Sequence, residues 1–260
     1  MSLLEVDGLT SGYGDSVVVR DLQLRVEAGE VVSLLGANGA GKTTTLLTLT
    51  GTLRPIAGSV RLDGERLDGR PAPAVARRGA VLVPDDRGLF PKLTVRENLA
   101  LVGRRRRSDT DPFEVFPELA DRRHVAAGLL SGGQQQMLAI ARALQCRPRL
   151  LLIDELSFGL APVVVQRLLP IVRRVADEQG AGVLLVEQHV HLGLAVADRA
   201  YVLRHGRCVL EGTAASLQDD VSLLHASYLG EVDEVPDEPD AAAGAPTHRS
   251  IPPAAEEAHR

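Results

Sequence analysis

The sequence predicts an α/β fold: a mainly parallel sheet, joined by an antiparallel β subdomain and an inserted helical subdomain. Three observations predict it. Residues 31–35, 81–83, 150–153 and 183–186 are nearly continuous apolar runs, the pattern of parallel strands buried on both faces. Helical patterns separate these runs, for example residues 163–178 before the last of them. The first run leads into a glycine-rich turn, and a helix-like stretch over residues 43–50 follows that turn.

The remaining segments fall into place around this core. Residues 3–26 and 58–68 alternate between polar and apolar and carry turn signals, so they read as antiparallel strands. Residues 201–211, which turn at His205-Gly206, read the same way. Residues 92–129 show helical content and no clear strand, which places a helical subdomain at about residues 92–145. A run of four arginines at 104–107 is flanked by Gly103, Ser108 and Asp109 and reads as a solvated loop. From residue 231 the chain is rich in acids, Pro and Ala, with too little apolar surface to order itself. The expected organisation is one folded domain over residues 1–230 and a disordered acidic, Pro/Ala-rich tail over 231–260.

Composition limits the function classes. The chain has 260 residues, 45% of them hydrophobic, enough for one large α/β domain. Aromatics make up 3% and Trp is absent, so the core must be built from Leu, Val, Ile and Ala. The two cysteines, Cys146 and Cys208, form neither a zinc pattern nor a disulfide framework, which suits a reducing cytoplasm. No signal peptide is visible. No apolar run approaches the ~20 residues needed to cross a bilayer, so a membrane role must come through a partner. The net charge is −5, but residues 231–260 hold eight acids and two arginines, a balance of −6, so the body carries +1. That is no nucleic-acid footprint.

The glycine-rich turn carries the chemistry. Gly36-Ala37-Asn38-Gly39-Ala40-Gly41-Lys42-Thr43 has the spacing of a phosphate-cradling P-loop, set between a strand and a helix. Glycines let backbone N–H groups approach phosphate oxygens, and the helix dipole favours negative charge there. Lys42 is expected to reach the β- and γ-phosphates, and the Thr43 hydroxyl to sit on Mg²⁺. The core is thus expected to be that of a P-loop NTPase. Downstream, the strand run of residues 150–153 ends in Asp154 and Glu155. Asp154 is expected to hold Mg²⁺, directly or through water, and Glu155 to polarise the attacking water. Paired with the P-loop, two acids at a strand end are more than solvated caps.

Leu130-Ser131-Gly132-Gly133-Gln134 then opens an amphipathic helix expected over residues 135–144. This is a second helix N-terminus with exposed N–H groups, hence a second anion site. One P-loop fold needs only one phosphate cradle, so the second makes sense if it serves a nucleotide held by another subunit.

With this element the chain resembles the ABC-type ATPases, the nucleotide-binding subunits of ABC transporters, over about residues 3–230. The motifs that carry the resemblance are GANGAGKTT, LSGGQ and LLLIDE. It implies two cassettes packed head to tail around two ATP molecules, as a homodimer or a heterodimer. Ser131, Gly132 and Gly133, with Gln134, of one subunit would meet the γ-phosphate bound on Lys42 of the other. Residues 36–43 and Thr44 would cradle the nucleotide, and Tyr13 would stack on adenine. The resemblance also exposes departures. The usual glutamine after the second core strand falls at Asp85, which would still reach the metal and the nucleotide. The usual switch histidine falls at Gln188, which can hydrogen-bond a phosphate oxygen but cannot carry a proton as imidazolium does. The usual aspartate after the second strand-end motif falls at Leu160.

These departures resemble one branch, the ATPases of branched-chain amino-acid importers and their relatives for urea and amides. Val83-Pro84-Asp85, Val186-Glu187-Gln188 and residues 154–162 are similar to that branch, as are residues 90–99, 116–119 and Tyr228-Leu229-Gly230. Asp85, Asp86, Leu156 and Phe158 depart from its consensus. The expected function is an ATP-binding, ATP-hydrolysing subunit that energises an importer. Its partners would be transmembrane permease subunits, docked near residues 85–98, and indirectly a solute-binding protein. It would sit on the cytoplasmic face of the membrane through the permease. A soluble ABC ATPase of DNA repair or translation would need a long coiled-coil insertion or tandem cassettes. A low-turnover ATP-gated module is suggested by Asp85 and Gln188 and opposed by Lys42, Asp154 and Glu155.

Overall fold

The computed structural model describes residues 2–102 and 110–219. The arginine run, residues 228–230 and the tail from 231 lie outside the described residues.

The chain opens with two long antiparallel strands, β1 (Leu4–Tyr13) and β2 (Ser16–Val26). Strand β3 (Val31–Gly36) then enters the core and feeds helix α1 (Lys42–Leu49). The chain returns to the first sheet with β4 (Ala57–Leu62) and the short β5 (Glu65–Arg66), giving a four-stranded antiparallel sheet in the order β2-β1-β4-β5. Helix α2 (Ala72–Arg77) leads to β6 (Ala80–Val83). The helical subdomain follows: α3 (Val95–Ala100), α4 (Pro112–Val115), two 3₁₀ turns and α5 (Gly132–Gln145). The core then resumes with β7 (Leu150–Asp154), α6 (Pro162–Gln179) and β8 (Gly182–Glu187). Helix α7 (Val190–Leu194), strands β9 (Arg199–Arg204) and β10 (Arg207–Thr213), and α8 (Ala214–Asp219) complete the described chain.

The core sheet runs β10-β9-β3-β8-β7-β6, and all of its pairs are parallel except β10 with β9. Successive side chains of its central strands enter opposite layers, which explains why their sequences do not alternate. Val31, Leu151, Ile153, Val183 and Leu185 pack on one face with α5 and α6. Val32, Leu34, Leu150, Leu152, Leu184 and Val186 pack on the other with Leu46 and Leu49 of α1 and with the antiparallel sheet.

Three expectations need correction. Residues 201–211 do form a hairpin, but its first strand, β9, joins the core as a parallel neighbour of β3. Strand β6 is an edge strand, with Val81 and Leu82 only partly buried, because among the described residues no strand pairs beyond it in the sheet. Helix α5 starts at Gly132 rather than at 135: Ser131 caps it and the glycines form its first turn. Among the described residues the helical segment contains a single antiparallel bridge, Thr94 with Ala126, and no strand.

One side-chain and one backbone hydrogen bond fix the two sheets to each other. The Tyr201 hydroxyl accepts from Arg25 N at 3.2 Å, and Arg20 N donates to Gly206 O at 2.8 Å. A Cβ on Gly206 would lie 1.9 Å from Val18 O, so this turn tolerates only glycine where β2 passes. The antiparallel sheet is thereby held beside the C-terminal end of β3, where ligands of open parallel sheets collect.

Candidate functional site

The C-terminal ends of β3, β7 and β8 converge, and each contributes one part of a candidate phosphate site. Beyond β3, residues 36–43 turn tightly. A Cβ on Gly36 would lie 2.6 Å from Leu203 O, and Gly39 and Gly41 have φ of 81° and 105°. These positions demand glycine. Gly41 caps α1, whose first turn has no acid, and the first helical bond at this end is Thr45 N to Gly41 O at 2.9 Å. The N–H groups before it belong to Lys42, Thr43 and Thr44, a ready anion site. Ala37, Asn38 and Gly39 form an exposed rim, while Ala40 is buried. Lys42 is buried, and its ammonium donates to Gly36 O at 2.8 Å and Ala37 O at 3.1 Å. It lies 3.6 Å from Glu155 Oε1.

The end of β7 supplies the acids. Asp154 is 2% exposed, and its Oδ2 accepts from the Thr43 hydroxyl at 2.9 Å. Burial pushes its carboxyl up to about 6. The charges of Asp85 and Glu155 add to that rise, while the Thr43 hydrogen bond and Lys42 oppose it. Its Oδ1 is buried with no hydrogen-bond partner. A buried carboxylate oxygen without a donor is a cost that a cation relieves. Among the described residues no three His, Cys, Asp or Glu side chains form a metal cage. One carboxylate, one hydroxyl and the phosphates of a nucleotide suit Mg²⁺, which keeps several waters and takes few protein ligands. Thr43 and Asp154 therefore fit that ion. Asp85 is exposed, and its Oδ1 accepts from Asp86 N at 2.8 Å, so its carboxylate faces its own turn.

Glu155 has φ 46°, a left-handed conformation that costs a non-glycine residue about 1–3 kcal/mol. Its N–H donates to Val186 O at 2.9 Å, and Phe158 N donates back to Glu155 O at 3.0 Å, closing a turn. Inside this turn Ser157 gives two hydrogen bonds to buried Glu187: its N–H to Oε1 at 3.0 Å and its hydroxyl to Oε2 at 2.8 Å. Burial pushes the Glu187 carboxyl up, and these two bonds oppose the rise. Glu187 went unnoticed as a site residue in the sequence, where it was only one letter of a motif. Gln188 follows it, exposed at the end of β8. Tyr13, at the end of β1, is 50% exposed.

The second anion element is also formed. Ser131 caps α5 through a capping box: Gln134 N donates to Ser131 Oγ at 3.3 Å and Ser131 N to Gln134 Oε1 at 3.1 Å. The Gln134 side chain thus holds the cap. The turn is exposed at Ser131 and backs onto Arg87 and Leu160: a Cβ on Gly132 would lie 3.4 Å from Arg87 Nη2 and 3.7 Å from Leu160 Cδ2. Arg87 donates to Gln135 Oε1 at 2.7 Å and Gln136 Oε1 at 3.3 Å, tying the segment after β6 to α5. Between that segment and the helical subdomain lies a groove of about 720 Å³, lined in part by Val81, Arg87, Phe90, Leu101, Ala139 and Arg142. The structure thus brings Lys42, Thr43, Asp154 and Glu155 together and holds Ser131–Gly133 on a separate element.

A family model described as ABC transporter matches residues 19–157. The chain belongs to the ABC transporter family. The ATP-binding cassette of this family is an ATPase coupled to transport, and this chain carries its fold. A curated relative, the high-affinity branched-chain amino acid transport ATP-binding protein BraG of Pseudomonas aeruginosa, is 43% identical over 236 residues, covering 88% of this chain and all of that protein. A solved ATP-binding subunit of an ABC transporter matches with a TM-score of 0.75 and 29% identity, covering 89% of this chain and all of that one. A bacterial ABC transporter cassette described as dimeric matches with a TM-score of 0.72 at 24% identity, over 81% of this chain and 98% of that one, and supports the fold. No helix among the described residues is long and apolar enough to cross a membrane.

Proposed function

We propose that this cassette binds MgATP between two copies of the ABC fold and uses its hydrolysis to drive import of branched-chain amino acids. One observation carries the reading. A complete cradle and a complete signature turn, each a helix N-terminus with glycine backbone, sit on separate elements of one chain. Two cassettes packed head to tail place the turn of one against the cradle of the other.

Within one site the residues divide the work. The N–H groups of residues 39–44 and the Lys42 ammonium hold the β- and γ-phosphates, and Tyr13 offers its ring face to adenine. Thr43 and Asp154 would hold Mg²⁺, which would neutralise phosphate charge, and Asp85 would join through water only by turning away from the Asp86 N–H. Phosphate oxygens compete with Glu155 for Lys42, which frees the Glu155 carboxylate for the attacking water. As the water oxygen bonds to the γ-phosphorus and the bond to the ADP oxygen breaks, Glu155 takes the water proton. Gln188 donates an amide hydrogen bond to a γ-phosphate oxygen. Ser131, Gly132 and Gly133 of the partner cassette close the site. Gln188→Ala is expected to lower kcat on the order of tenfold while changing the KM for ATP much less. An unchanged kcat in steady-state assays removes that phosphate contact.

Transport follows from the groove beside Arg87. Its apolar walls and three arginines, Arg77, Arg87 and Arg142, suit a short amphipathic helix of a permease on the cytoplasmic face of the membrane. Arg87 also holds the signature helix, so docking there bears directly on the site. The solute class rests on the likeness to BraG and on the Val186-Glu187-Gln188 and residue 154–162 motifs. Its test is uptake of labelled leucine, isoleucine and valine by cells with and without the gene. Loss of uptake supports the class; normal uptake of all three overturns it.

A further inference from the structure

We infer that Glu187 is a positioning residue for hydrolysis, holding the Glu155 turn in its reactive shape through Ser157. The inference rests on the ATPase reading of the site. Glu187 is the last residue of β8 and is 1% exposed. A carboxylate at that depth is costly unless its oxygens are taken up by donors. Both are taken up by one residue, the N–H and the hydroxyl of Ser157.

Ser157 is not part of a strand. It lies in the turn that begins at Glu155, where Phe158 N bonds to Glu155 O. Strands β7 and β8 pair up to Asp154 with Val186, and Glu155 N adds one more bond to Val186 O. At the next step the chain leaves the ladder, and the Glu187 side chain supplies the acceptor that a strand backbone would otherwise give. Two consecutive residues, Val186 and Glu187, therefore hold the turn at Glu155 and again at Ser157. Between the two holds sits Glu155 at φ 46°, a conformation that persists only where its surroundings impose it. The other end of the turn bonds Leu160 N to Ser157 O at 3.2 Å, and Leu160 backs the signature glycine Gly132. Releasing Ser157 frees Glu155 to relax out of reach of the water, without touching Lys42, Thr43 or the cradle.

A glutamine at 187 keeps the acceptor for Ser157 N and meets the hydroxyl with its amide, so it preserves the hold; an alanine does not. Steady-state ATP hydrolysis, with melting temperature measured alongside, tests this. Glu187→Ala is expected to lose about tenfold to a hundredfold in kcat, as misplacing a reacting group does, with the KM for ATP within about twofold. Glu187→Gln is expected to stay within about threefold of wild type. A wild-type kcat in Glu187→Ala overturns the inference. So does a Glu187→Gln protein as slow as the alanine variant, or a loss of ATP binding that matches the loss of kcat. Ser157→Ala removes one arm from the other side, leaves the N–H bond in place, and is expected to lose several-fold in kcat. If Glu187→Ala does not fold, wild-type turnover in Ser157→Ala overturns the inference. Wild-type protein without Glu155-dependent turnover removes the ATPase reading and this inference with it; a normal wild type beside a normal Glu187→Ala removes the inference alone.

Discussion

Replacing Glu155 by glutamine is expected to lower ATP turnover by about a hundredfold or more, the scale of a lost general base. Glutamine keeps the size of the side chain but cannot take the water proton. It also loses the charge that faces Lys42 at 3.6 Å, so the ammonium turns wholly to phosphate and ATP affinity holds or rises. The bound nucleotide then stays intact between two cassettes. Size-exclusion chromatography in MgATP should show Glu155→Gln as a dimer under conditions where wild type, having hydrolysed its ATP, runs as a monomer. Equal turnover in the two proteins removes Glu155 from its role as base.

Replacing Asp154 by asparagine is expected to stabilise the nucleotide-free protein while abolishing Mg²⁺-dependent hydrolysis. Asp154 carries a carboxyl pushed from 3.8 to about 6 by burial. The folded state therefore binds a proton that the unfolded chain has released over that window. Stability from this group is full below the unfolded value and is lost as pH rises through about 6. Above that the folded chain bears a cost of about 3 kcal/mol, at 1.36 kcal/mol for each pKa unit. Asparagine carries no charge to desolvate and still accepts from Thr43. At pH 7.5 its melting temperature is expected to rise by several degrees, at about 2–4 °C per kcal/mol for a domain this size. The advantage should fade towards pH 4, and saturating MgATP should stabilise wild type but not the variant. A lower melting temperature for Asp154→Asn at pH 7.5 contradicts the burial cost assigned to this carboxylate.

These two acids show how unevenly the sequence discloses the site. Residues 31–35 and 150–153 were legible as central strands because both of their faces are covered, so every position but Ser33, whose hydroxyl donates to Leu185 O, is apolar. The cradle was legible because positive φ and close backbone approach leave few alternatives to glycine at 36, 39 and 41. Strand β9 was misjudged because its hairpin with β10 gives a local antiparallel signal, whereas its pairing with β3 spans more than 160 residues of sequence. The early start of α5 was hidden by two glycines, which disfavour a helix interior yet are tolerated in a capped first turn. The left-handed backbone of Glu155 leaves no trace in its residue type. The hold that Glu187 exerts on Ser157 joins residues 30 apart in sequence and appears only when β7 and β8 are seen side by side.

The central claim is that Ser131–Gly133 of one chain acts on the nucleotide held by Lys42 of another. A mixing experiment tests it most directly. Lys42→Ala removes the cradle and leaves the signature turn; Ser131→Arg blocks the turn and leaves the cradle. Each protein alone should be inactive. With random pairing of equal amounts, half of the dimers contain one intact composite site, so the mixture should recover about a quarter of wild-type turnover. A mixture no more active than its two components contradicts the account.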